Sequence, residues 1–225
     1  MLELSQQAIF SGLLVGSVYA LVALGIALTF GAMKIINLAH GELVLLAAYM
    51  AYFIESRTGW NPYAAIPLAF AVTAVVSVAV YLLIDRIKLH RELNSLILTF
   101  AILLVFASDV RSTNSPVLQD ALSFHTVYAM KGELAAFVVS LAVMTALWWW
   151  LKLSWYGRAV RAVSSNRDAA MLMGIDPRRV ELAAFLVAGI LASVAGVALF
   201  TMSVVQPALG PALTVKAFVV TVLAG

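Results

Sequence analysis

The chain has no cysteine, and only 11% of its 225 residues carry charge. The first absence excludes disulfides and thiolate metal sites. The second excludes an ordinary soluble domain, which holds about 25% charged and about 45–50% apolar residues. Here 64% of residues are apolar and the mean hydropathy is +1.02. No soluble core of this size could hide that much apolar surface, so most of the chain belongs in lipid. A GxxxxGK[ST] phosphate loop is also missing, so the chain cannot bind ATP in the P-loop manner. Histidine is scarce, and of the three only His40 lies near an apolar run. The net charge of +3 does not suggest nucleic acid, because a membrane protein gathers its bases in cytoplasmic loops. The opening MLELSQQ is acidic and no small-residue cleavage site follows, so the first apolar run reads as a retained span.

What is present is a series of apolar runs separated by polar intervals. Residues 8–33 carry no charge and are long enough to span with tilt. They include Gly12 and Gly16 in GxxxG spacing, the pattern that lets helices approach closely in lipid. Residues 34–42 interrupt the run, and residues 43–54 are apolar but short, which suits a broken or re-entrant helix as well as a whole one. Residues 55–62 read as a turn-rich loop with an interfacial Trp60, and 63–84 as a span. Residues 85–94 form a short basic loop, 95–107 a short apolar helix, and 109–133 a mixed polar loop. Residues 134–151 span again and end in Trp148, Trp149 and Trp150, an interfacial anchor. Residues 182–205 span, with Gly189/Ser193 and Ala192/Gly196 as small-xxx-small pairs. QPALGP at 206–211 breaks the helix, and a further apolar segment follows. The fold expected is all-α: a polytopic transmembrane helical bundle with broken or re-entrant helices, forming one domain over residues 1–225.

Charge gives the orientation. Lys34 and the 85–94 and 152–181 intervals together hold ten Lys and Arg, against three (Arg57, Arg111 and Lys131) on the other side. The positive-inside rule puts the first set in the cytoplasm and the N-terminus outside.

The interval 152–181 is the longest polar stretch, with Lys152, Arg158, Arg161, Arg167, Arg178 and Arg179. Ser165 to Asp168 reads as a capping box in which Ser165 accepts from the Asp168 amide. A short helix, DAAMLM, follows, and Gly174 stops it with Pro177 just beyond. Ala169, Ala170, Met171 and Met173 form its expected exposed surface, soft enough to seat in a partner's groove. A helix resting on anionic headgroups is the alternative.

The run Asp168-Ala169-Ala170-x-x-x-Gly174 resembles the EAA-type coupling motif of ABC importer permeases. GRAVRAVSSNRDAAMLMGID, GSVYALVALGIALTFGAMKIINLAHGELVLLAAY and PALGPALTVKAFVVTVLAG are similar to the permeases of branched-chain amino acid uptake systems. These matches extend from residue 16 to residue 225. The isoleucine-leucine-proline element of the longer motif is not visible, residues 109–133 show no match, and Ala224 stands where glycine is usual. Such permeases usually run on, so the chain is expected to be incomplete at its C-terminal end.

The resemblance implies a non-enzymatic, multi-pass plasma (inner) membrane subunit that binds no cofactor and works with ATP on its partners. Those partners would be two cytoplasmic ATPase subunits, a second permease, an outer solute-binding protein and membrane lipid. It implies that Arg158, Arg161, Asp168, Ala169, Ala170 and Gly174 engage the ATPase. Leucine, isoleucine or valine is the implied substrate. Another amino acid, urea or a short amide is the alternative within the class, and an ion-coupled carrier the alternative outside it. An intramembrane hydrolase would need Ser11 or Ser17 paired with His40, and no nucleophile motif surrounds either serine.

Two breaks flank the presumed path: Asn37-Leu38-Ala39-His40-Gly41 and Gln206-Pro207-Ala208-Leu209-Gly210. Each has a carboxamide residue followed four positions later by glycine, between a long span and a shorter one, as in an inverted repeat. Free helix amides at such breaks attract a carboxylate. Asn37, His40, Gly41, Gln206, Gly210 and Lys216 are therefore the expected path residues. His40 is expected to hydrogen-bond an exposed carbonyl, Glu42 to be solvated beside Lys34, and Lys216 to snorkel outward or sit buried near the break.

Overall fold

In the computed structural model, residues 2–34, 37, 39–86, 119–124, 127–206 and 208–223 are described. The 95–107 helix and most of the 85–94 loop expected from sequence lie outside these residues. The elements are α1 (Leu2–Met33), α2 (His40–Thr58), a 3-10 turn (Pro62–Ala65), α3 (Ile66–Arg86), an antiparallel hairpin of β1 (Ala121–Phe124) and β2 (Val127–Met130), α4 (Lys131–Leu153), α5 (Trp155–Ser165), α6 (Arg167–Leu172), α7 (Pro177–Met202) and α8 (Leu209–Leu223). Among the described residues, Leu4–Met33, Pro62–Arg86, Lys131–Leu153 and Pro177–Met202 are long and apolar enough to cross a membrane, and Leu209–Leu223 is a shorter apolar helix.

α7 is the centre. It is apolar on every face and packs against α1, α2, α3 and α4. Both of its small-residue pairs are used. A side chain on Gly196 would run into the Val44 carbonyl of α2 and come within 2.7 Å of Ala47 Cβ. One on Gly189 would come within 2.8 Å of Ser77 Oγ on α3, beside which Thr73 donates to the Gly189 carbonyl at 3.2 Å. Lipid offers no hydrophobic drive for helices to associate, so close backbone contact of this kind is what holds them. The Gly12 and Gly16 pair behaves otherwise: both are exposed and neither has an atom within 4 Å of its absent side chain. The same spacing therefore marks a contact on α7 and none on α1.

Two elements depart from the bounds expected from sequence. Of the readings left open for the short apolar run at 43–54, the whole helix is the one formed: α2 has 19 residues and extends past the run at both ends. It takes in His40, Gly41 and Glu42 at one end and runs to Thr58 at the other, where Gly59 ends it at φ 68°. Burial against protein, not lipid, is what admits those polar residues. The 109–133 interval is not all loop: β1 and β2 pair within it, and α4 starts at Lys131. Gln7 of α1 holds that hairpin through both ends of its amide, donating to the Tyr128 carbonyl and accepting from the Tyr128 amide, each at 2.8 Å.

Candidate functional site

The two breaks meet inside the bundle. The Asn37 carbonyl accepts from the His40 amide at 3.3 Å, and the Gln206 carbonyl accepts from the Leu209 amide at 3.0 Å. Each carboxamide residue thus makes one turn, and a helix begins three residues later. The glycine that follows is the contact point: a side chain on Gly41 would strike the Gly210 carbonyl and Thr214 Oγ1. Instead the Gly41 amide donates to Thr214 Oγ1 at 2.9 Å. α1 lies on α8, α7 lies on α2, and α2 and α8 touch each other. This crossed pairing is what two copies of a long-helix, break, half-helix unit related by a pseudo-two-fold would give.

The joint is polar and enclosed. Asn37, His40, Glu42 and Thr214 are all buried. Asn37 Oδ1 accepts from the Ala39 amide at 3.1 Å. His40 packs on Gly25 of α1, where any side chain would collide with the imidazole. Neither ring nitrogen makes a hydrogen bond among the described residues. The expected bond from His40 to a freed carbonyl is therefore not formed. Glu42 is not solvated beside Lys34: it is 3% exposed, while Lys34 is exposed with its ammonium over the Phe30 ring. Gln206 is exposed at the start of its break. Lys216 is on the outer face of α8, away from the joint, with its ammonium 5.1 Å from the Tyr19 ring centroid. It is not a buried cation. Ser17 donates to the Leu14 carbonyl at 2.7 Å, which leaves His40 without a serine partner. Glu42, Thr214 and Gly25 were the members of this cluster that sequence reasoning passed over. The Gly25–His40 contact gives a direct test. Gly25→Ala should lower stability in detergent by about 1–3 kcal/mol through overpacking. Adding His40→Ala should recover most of that loss in a double-mutant cycle of thermal melts.

At the opposite end of α7 stands the second site. Ser154 caps α5 by accepting from the Gly157 amide at 2.9 Å. Gly157 itself sits on the Leu151 carbonyl, too close for a side chain. Arg161 donates to that same carbonyl at 2.6 Å and Arg158 to the Leu153 carbonyl at 3.2 Å. These two arginines satisfy the last carbonyls of α4, which have no partner within their own helix. The cap of α6 is Asn166, not Ser165: its Oδ1 accepts from the Ala169 amide at 3.0 Å, while Ser165 is the last residue of α5. α6 ends at Gly174, whose φ of 80° suits glycine at the turn. Asp168 and Ala169 are exposed, but Ala170 is buried against α7 beside Val180 and Ala184. The expected exposed surface is thus corrected: Ala170 is the anchor, and the tip is Met171, Leu172 and Met173. Leu172 and Met173 are 88% and 81% exposed. Arg167 at the start of α6 pairs with Glu181, which is wholly buried in α7.

A bundle of lipid-length helices, with two helix breaks joined inside it and a capped polar elbow at one end, defines a polytopic membrane protein of the transport type. A family model described as the permease component of branched-chain amino acid transport systems matches residues 8–225. The chain belongs to that family, whose members are transport components and not enzymes. It is 29% identical to the high-affinity branched-chain amino acid transport system permease protein BraD of Pseudomonas aeruginosa, over 97% of this chain and 78% of that protein. It is 30% identical to the corresponding LivH of Escherichia coli K12, with the same coverage. It is 29% identical to the probable branched-chain amino acid transport permease protein LivH of Methanocaldococcus jannaschii, over 99% of this chain and 75% of that protein. No solved structure matches the chain significantly.

Proposed function

We propose that the chain is the membrane subunit of an ABC importer for branched-chain amino acids. In this reading it lines the path at the α2–α8 joint and is driven by a cytoplasmic ATPase through the 152–181 elbow. Alternating access would part and close the joint, with Asn37, His40, Gly41 and Gly210 beside the substrate and Gln206 at its entry. Two ATPase subunits, a second permease, an outer solute-binding protein and lipid complete the assembly, with the N-terminus outside and the elbow in the cytoplasm of an inner membrane.

The observation that carries the coupling half is the tip of α6. Met171, Leu172 and Met173 are three consecutive exposed apolar residues, outside the spans and followed by Asp176, Arg178 and Arg179. An apolar knob surrounded by charge in an aqueous compartment calls for a protein groove. Arg158 and Arg161 are engaged on α4, so their part in coupling is to hold the elbow.

Leu172→Asp should abolish co-purification of the ATPase subunit in detergent and stop amino acid uptake. The melting temperature of the permease should stay unchanged, because nothing in the bundle loses a contact. Wild-type ATPase retention in that variant would overturn the docking assignment. Ala170→Arg is a poor probe of docking, since it breaks packing on α7 first.

A further inference from the structure

We propose that Glu42, at the joint of α2 and α8, receives the α-ammonium group of the transported amino acid. This rests on the amino-acid permease reading above. Glu42 is the third residue of α2, where a glutamate ordinarily reaches back to the N-cap amide. That amide, of Ala39, is already held by Asn37 Oδ1. The carboxylate instead lies against Gly210 in the first turn of α8. Among the described residues it makes no ion pair, and Lys34 and Lys216 lie on the Phe30 and Tyr19 rings.

An ionisable side chain buried in a membrane body is costly and marks a substrate or ion path. Here it lies at the first turns of two helices. An amino acid brings, in its α-ammonium group, the cation that this acid lacks. The joint is also built to part. Gly41 and Gly210 lie backbone to backbone, and parting them releases the Gly41–Thr214 hydrogen bond and draws the Glu42 carboxylate off Gly210.

The test uses the complete transporter in proteoliposomes. Glu42→Gln should cut leucine uptake about thirtyfold or more, the scale expected when one partner of a buried charge pair is removed. Assembly with the ATPase and the melting temperature should be retained. A second measurement reads the site itself. Residues 1–225 contain no cysteine, so Thr214→Cys places the one thiol of this stretch beside the joint, and labelling is read on the permease band. Under turnover, leucine should protect that thiol from a membrane-impermeant maleimide, and adding Glu42→Gln should remove the protection. Wild-type uptake by Glu42→Gln, equal protection in both backgrounds, or loss of uptake in step with loss of assembly would each overturn the assignment. If the unmodified transporter moves no amino acid, the permease reading falls and takes the assignment with it. If it moves leucine and Glu42→Gln does so equally well, the assignment alone falls.

Discussion

Gly196→Leu is expected to leave no stably folded bundle, and Gly196→Ala to weaken it measurably. Gly196 sits where α7 crosses α2, against the Val44 carbonyl, with Ala47 Cβ and the Ala48 amide within 3 Å of where a side chain would begin. Two of those three neighbours are backbone, which cannot rotate aside as a flexible side chain would. Even one methyl must push the helices apart, and overpacking of this kind costs about 1–3 kcal/mol. The better helix propensity of alanine returns at most about 1 kcal/mol. The three further carbon atoms of leucine exceed what separation can absorb, and α2 carries half of the polar joint. The check is a thermal melt in detergent, with Gly12→Ala and Gly16→Ala as controls. Both controls meet empty space, so they should melt at or slightly above the unmodified protein. Equal destabilisation by all three alanine variants would mean that α7 and α1 are not distinguished by packing, and the architecture would be wrong.

The second large effect is expected at Arg167 and Glu181, and it should be asymmetric. Arg167→Ala leaves the wholly buried Glu181 without its guanidinium, and breaking a buried pair in this way costs about 3–5 kcal/mol. The arginine is itself 40% exposed, so the lower end of that range applies. Glu181→Leu should cost less, because the arginine can turn to water and leucine suits the site. The double variant Arg167→Met with Glu181→Leu should regain stability, because apolar replacement of a buried pair is often neutral or better. Stability is one reading and coupling the other. If the pair ties the α6 tip to α7, that double variant should hydrolyse ATP at the usual rate while importing less leucine per ATP. Equal losses for the two single variants would contradict the burial asymmetry on which the prediction stands.

Part of this could be read from residue order. Long charge-free runs marked α1, α3, α4 and α7 because length and hydropathy are what a bilayer demands. The stop at Gly174 and the short α6 followed from capping chemistry. Matching carboxamide-to-glycine spacing at Asn37/Gly41 and Gln206/Gly210 pointed to paired breaks, although nothing in the letters said that the breaks touch. The failures share a cause. Hydropathy scores a residue against water or lipid, whereas Glu42 and His40 are buried against other helices, so both were assigned to a polar interruption. Arg158 and Arg161 look like free charges for the same reason, because carbonyls at the end of α4 are invisible in a string of side chains. GxxxG spacing states that a close approach is possible, not that another helix is there, and so Gly12 and Gly196 read alike. The hairpin was missed because eight residues of short strand, held by one glutamine 121 positions away in the sequence, leave no periodic signal.

The elbow after α4 has a mechanical meaning beyond its hydrogen bonds. Ser154 and the two guanidinium groups weld α5 to the end of α4, and the Arg167–Glu181 pair with Ala170 welds α6 to α7. A bracket fixed at both feet has no hinge, so a load on Leu172 cannot be absorbed by bending the arm and passes into the two helices that anchor it.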